Sequence, residues 1–215
     1  MIDIMLCLSY LLDHLAGSPF WKLSIIVNLD GEDSVSTWYS SVQLFCISAL
    51  SAIFAYINYK KNLKNTLLVI MPIIFLLMSI DEIVQVHEWL GHKSDVLLPD
   101  GIRDNTSFSN TGVWIFVIGI PFLGFFLVWA YAIKDILLEN KNNLKKIVIG
   151  MCILLFGALG MEYFTNYNGD NFTVIVVMLE EGLEMIGATT ILWATYNMSS
   201  EYFQILNTKK CYKVN

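Results

Sequence analysis

Apolar residues fall in long blocks separated by short polar stretches, and the block length is the first informative quantity. Residues 38–58, 112–133, 146–163 and 173–196 meet or approach the ~20 residues needed to cross ~30 Å of hydrocarbon. A fifth block, 66–90, is apolar for about one helix of 15 residues before it reaches Asp81-Glu82. It reads as a span because the loops on either side need it to alternate. The pattern predicts an all-α integral membrane protein, a bundle of five transmembrane helices, with six as the alternative. Ahead of the bundle, residues 4–16 are apolar but too short to span, and Asp13, His14, Pro19 and Lys22 interrupt any longer helix. Without a basic n-region this stretch does not read as a signal peptide. Residues 1–37 are therefore expected to be an outer-side segment with an interfacial or re-entrant helix, 38–197 the bundle, and 198–215 a cytoplasmic tail.

Composition agrees. Of 215 residues, 56% are hydrophobic and only 15% charged, where a soluble domain carries about 25% charged residues. The net charge of −6, with no basic run longer than two residues, excludes a nucleic-acid partner. Cys7, Cys46, Cys152 and Cys211 form no CxxC pair and read as small hydrophobes. Ten of the 13 basic residues (Lys60, Lys61, Lys64, Lys134, Lys141, Lys145, Lys146, Lys209, Lys210 and Lys213) fall on one side of the alternating spans. The positive-inside rule makes that side cytoplasmic and places the C-terminus there. Trp38, Tyr39, Trp89, Trp114, Trp129 and Trp193 lie near predicted span ends, as an aromatic belt requires. Ser41, Ser48, Ala52 and Ala55 on the first span, and Gly150 and Gly157 on the fourth, offer small surfaces for close helix contact. Ser34 and Ser36 offer capping hydroxyls to the first span, and Pro72 and Pro121 imply bends.

Three acidic stretches do not suit a scaffold. The second span ends in Ser79-Ile80-Asp81-Glu82, followed by His87-Glu88; the fourth ends in Glu162; the fifth contains Glu180-Glu181-Gly182-Leu183-Glu184. An ionisable group near the bilayer centre costs about 2.5–3.5 kcal/mol on insertion scales. At 1.5 Å per residue, Asp81 lies about 22 Å along an outward-running helix and Glu162 about 24 Å along its own. Glu180 and Glu184 lie about 12 and 18 Å into a helix that begins outside, so all four fall in the outer half. With a continuous helix, Asp81, Gln85 and Glu88 share a stripe about 60° wide. No Lys or Arg lies within the apolar parts of the spans, so crowded carboxylates must share protons or hold a cation.

Asp81, Glu82, His87, Glu162, Glu180, Glu181 and Glu184 form the expected metal set, and a divalent ion of the Fe, Mn, Mg or Ca class is the expected cofactor. The Glu-x-x-His pairs of four-helix di-iron proteins are absent, so that likeness is chemical only. His87 and Glu88 are the expected catalytic residues. Through Asn28-Leu29-Asp30-Gly31-Glu32, Thr37-Trp38-Tyr39-Ser40, Ser79-Ile80-Asp81-Glu82 with His87-Glu88, and Glu180-Glu181-Gly182-Leu183-Glu184-Met185, the chain resembles a group of uncharacterised bacterial polytopic membrane proteins. The resemblance implies a bacterial cytoplasmic membrane and that these stretches belong together; it carries no activity. The sequence thus points to metal-assisted chemistry on a lipid-like, membrane-accessible substrate, with the bilayer as partner. Cation- or proton-coupled transport, and a structural or partner-binding subunit, are the alternatives.

Overall fold

The computed structural model describes residues 1–31, 33–59, 67–98, 113–137, 141–165 and 173–211, with side chains excepted at 59, 133, 135–137, 162, 165 and 202–211. Lys60, Lys61, Lys64, Arg103, Lys213 and the Glu32 of the acidic turn lie outside these residues. The described residues are helical and contain no strand. In chain order they form α1 (Ile2–Leu15), α2 (Trp21–Val27), α3 (Val35–Tyr59), α4 (Ile70–Val84) and α5 (Val86–Ser94). Then follow α6 (Ile120–Leu137), α7 (Lys141–Leu155), α8 (Glu162–Thr165) and α9 (Thr173–Cys211). Wide π-helical turns lead into α6 at Ile115–Gly119 and out of α7 at Phe156–Met161.

Four helical stretches are long and apolar enough to cross a membrane: Val35–Asn58, Leu67–Val84, Ile115–Ala132 and Lys141–Met161. The fifth expected span is α9. Its apolar stretch carries Glu180, Glu181 and Glu184, and the helix runs on through the expected tail to Cys211. It is nevertheless the centre of the packing, with α1, α3 and α7 all lying against it. Met185, Ala188, Ile191 and Ala194 are buried along it, and Leu44, Ile47, Met151 and Leu154 close over the lower part.

Local chemistry explains the boundaries. Ser34 Oγ accepts from the Thr37 N–H at 3.2 Å and caps α3. Asp13 accepts from Ser18 Oγ (3.0 Å) and Ser24 Oγ (2.9 Å), closing the turn from α1 to α2 that Gly17 and Ser18 enter with positive φ. The serine stripe of α3 works as its spacing predicts: Ser41 Oγ donates to the Ser79 carbonyl (2.8 Å) and Ser48 Oγ to that of Pro72 (2.7 Å), joining α3 to α4. Gly150 and Gly187 bring α7 and α9 into backbone contact, since a Cβ on Gly187 would lie 2.7 Å from the Gly150 carbonyl oxygen.

Two expectations need correction. The second span does not continue as one helix to residue 90: Gln85 adopts φ +56° and separates α4 from α5, so Asp81, Gln85 and Glu88 do not form one helical stripe. Trp114 and Trp129 are buried rather than part of a belt, and Trp129 Nε1 donates to the Leu67 carbonyl at 2.9 Å. Pro72 sits in the first turn of α4, where its missing N–H is tolerated.

Candidate acid–base site and the buried acids

The break at Gln85 is what brings the second acidic stretch together. Asp81, on the last turn of α4, accepts from the His87 backbone N–H through Oδ1 at 3.0 Å. Its Oδ2 lies 2.8 Å from His87 Nδ1. One carboxylate therefore caps the start of α5 and fixes the imidazole. The ring lies beside the buried Trp114, with centroids 5.6 Å apart, and about a third of each polar side chain remains exposed. With Nδ1 engaged by Asp81, proton exchange with a ligand falls to Nε2. Around the pair, Ile83, Val84, Val86 and Trp89 present exposed apolar surface, so an approach from this side is greasy. Glu88 is exposed on α5, and Glu82 is half-buried on α4.

On α9, two of the acids are placed by what lies beside them. Gly157, in the wide turn after α7, gives room for Glu184, whose Cγ lies 2.8 Å from where a Cβ would stand. The same absent Cβ would lie 3.0 Å from the Glu180 carbonyl oxygen. Such π-helical turns occur preferentially at functional sites. Glu181 acts on the α1 side, where it adds to the effect of burial and of Asp30 in pushing the Tyr10 hydroxyl up to about 12. Asp30, in the turn before α3, is itself raised above the ordinary carboxylate value by burial and then by the charge of Glu88. Glu162 begins α8, and its side chain lies outside the described residues.

Of the seven residues expected to hold a metal, Asp81 and His87 are joined directly to each other. No group of three or more His, Cys, Asp or Glu among the described residues is placed to hold a metal ion. His14 stacks edge-on against Tyr10, and His92 lies 4.0 Å from Asp95.

Sequence reasoning missed Asp3. Its carboxylate is only 4% exposed and accepts from Tyr39 Oη (2.8 Å) and Thr189 Oγ1 (3.2 Å) between α1, α3 and α9. The available signal was an aspartate at the head of an otherwise apolar helix.

No curated protein and no solved structure matches this chain. A protein family described as a domain of unknown function (DUF8692) matches residues 2–200, which takes in α1, the Asp81–His87 pair and the acids of α9. Because that match runs through nearly the whole chain, the protein belongs to the DUF8692 family.

Proposed function

We propose that the chain is a polytopic membrane protein whose Asp81–His87 pair carries out acid–base chemistry on a lipid-like substrate in the outer half of the bilayer. The carrying observation is the double grip of Asp81 on His87, through the backbone N–H at 3.0 Å and Nδ1 at 2.8 Å. A carboxylate on one imidazole nitrogen sets the tautomer, steadies the charged form and directs the other nitrogen to a substrate proton. The four apolar helical stretches support membrane insertion. The ten basic residues on one side of five spans support a cytoplasmic C-terminus. Exposed Val86 and Trp89 beside the pair favour a substrate that arrives from lipid.

Asp81 and His87 are donors of the kind that Fe or Mn accepts, but no third donor joins them among the described residues, so no step is assigned to a cation. Glu88 is exposed on the same short helix and would serve at the rim of such a site.

The test is turnover in a lipid environment. Purified protein in nanodiscs made from total bacterial lipid extract is incubated and the lipids are profiled by mass spectrometry, alongside His87→Ala and Asp81→Asn. A species consumed or formed by the wild type alone is the expected result. An identical lipid profile for all three defeats the proposal. Elemental analysis of the same preparations states separately whether a divalent ion accompanies the chain.

A further inference from the structure

The contacts between helices give α1 a direction and a height along the bundle. Gln43 of α3 donates to Thr189 Oγ1 of α9 at 2.6 Å, and Ser199 Oγ donates to the Leu50 carbonyl at 3.2 Å, so α3 and α9 run the same way. α1 runs against them. Thr189 Oγ1 donates to Asp3 at 3.2 Å, while Cys7 Sγ, further along α1, donates to the Met178 carbonyl at 3.9 Å, further back on α9. The head of α1 is therefore level with Gln43, which stands eight residues, or about 12 Å, below the start of α3 at Val35. Ser41 bonds to Ser79, and α4 ends at Val84, so α3 and α4 finish at about the same height. That end of the bundle carries Asp81 and His87.

Height and polarity agree along α1. From its head up to the ends of α3 and α4, its outward side is Ile2, Ile4, Met5, Leu8 and Leu12, each half exposed or more. Ser9 Oγ, beside them, donates to the Met5 carbonyl at 2.8 Å, within its own helix, as a hydrocarbon setting requires. Asp3 is turned inward to Tyr39, Gln43 and Thr189, and the Met1 amino group, 3.9 Å away, balances its charge. Ten residues beyond Asp3, or about 15 Å, the character changes. Asp13 stands about 3 Å past the ends of α3 and α4, where the headgroups of a bilayer begin, and binds Ser18 and Ser24 there. Lys22, close by in sequence, lies over the exposed Trp21 at 5.4 Å from the ring centroid, a pairing suited to that layer.

A protein partner gives no reason for the apolar-to-polar boundary of α1 to fall where the spans end; a bilayer does. With 14 residues, about 21 Å, α1 is too short to cross ~30 Å of hydrocarbon. We propose that α1 is a half-depth membrane helix that stands against α9 in the leaflet at the Asp81–His87 end. Its Ile4, Met5 and Leu8 face acyl chains, and its turn to α2 lies among the headgroups. This rests on the membrane reading of the chain and is independent of the acid–base role of Asp81 and His87.

The wild-type chain in nanodiscs, labelled from each phase and mapped by peptide mass spectrometry, tests this. A lipid-dissolved diazirine, photolysed to a carbene, should insert into residues 2–12 as heavily as into the exposed Leu127 and Val128 of α6, and several-fold more than into residues 13–19. Hydroxyl radicals generated in the water should spare Met5, whose side chain is 61% exposed on the protein, and should oxidise it several-fold faster once the chain is unfolded in detergent. Carbene insertion into α6 without insertion into residues 2–12 overturns the half-depth helix and leaves the membrane reading standing. Insertion into neither helix defeats both. Rapid oxidation of Met5 in the nanodisc places α1 in water and overturns the proposal. A face that neither reagent reaches is covered by protein, a second copy of the chain included, and overturns it as well.

Discussion

Gly187→Ala should destabilise the protein, and the size of the effect can be worked from the contact between α7 and α9. An added Cβ would stand 2.6 Å from the Leu154 amide nitrogen and 2.7 Å from the Gly150 carbonyl oxygen. These are backbone atoms, so no side-chain rotation relieves the overlap. Restoring ordinary contact, which begins at 3.4 Å, requires the helices to separate locally by close to 0.8 Å. A gap of about 0.5–1 Å already forfeits a quarter to a half of the dispersion attraction between facing atoms. In lipid that attraction is the main force between helices, since the tails are as apolar as the side chains. The buried Met151, Leu154, Ala188 and Ile191 all lie along this seam. Overpacking of this kind costs about 1–3 kcal/mol, against about 1 kcal/mol gained from alanine's helix propensity, so a net loss of up to about 2 kcal/mol is expected. Gly124→Ala on α6 is the control. Nothing lies within 4 Å of its added Cβ, so only the propensity gain applies. Both variants are compared with the wild type by equilibrium unfolding in micelles. If Gly187→Ala is as stable as Gly124→Ala, the close approach of α7 and α9 is refuted.

Two further outcomes follow from local geometry. Ser34→Ala removes the acceptor for the Thr37 N–H and should cost about 1 kcal/mol in the same unfolding assay, with Ser34→Thr restoring most of it. Asp30 has a folded-state pKa raised above 3.8, by burial and then by Glu88, so its ionisation weakens the fold as pH rises past that value. Asp30→Asn should therefore raise Tm modestly at pH 7, with the advantage shrinking toward pH 4 and below; a gain that is independent of pH would contradict this assignment.

The long apolar blocks were legible because lipid-scale length is a property of single segments. Helices formed at all five, and the serine and glycine spacings on α3 and α7 correctly marked their packing faces. Gln85 was not legible as a break. Nothing in its own side chain demands φ +56°; the cause is Asp81, whose carboxylate bonds to His87 across the turn and gives α5 a separate start. Counting residues along an unbroken helix could not anticipate that. The tryptophans show the same limit from another side, since proximity to a span end does not say whether an indole faces outward. Trp129 faces inward because the Leu67 carbonyl, at the foot of α4, offers its N–H a partner. Asp3 escaped notice because its partners are 36 to 186 residues away in sequence, and only tertiary packing reveals that Tyr39, Gln43 and Thr189 surround it.

The pitch of α3 accounts for how the polar side chains along it are shared among its neighbours. Tyr39 and Gln43 are four residues apart and share a face; Ser41, two residues on from Tyr39, points about 200° away. The first face meets Asp3 and Thr189, and the second meets Ser79 on α4. A helix with polar side chains on opposed faces serves two neighbours at once, so α4 with its Asp81–His87 pair and α9 with its Asp3 partner are addressed by different sides of the same rod. Gly157 extends the division, because Glu184 lies against the wide turn after α7, on yet another flank of α9. The α3 serines thus bind α4 closely, while its Tyr39–Gln43 face meets the buried Asp3 and Thr189.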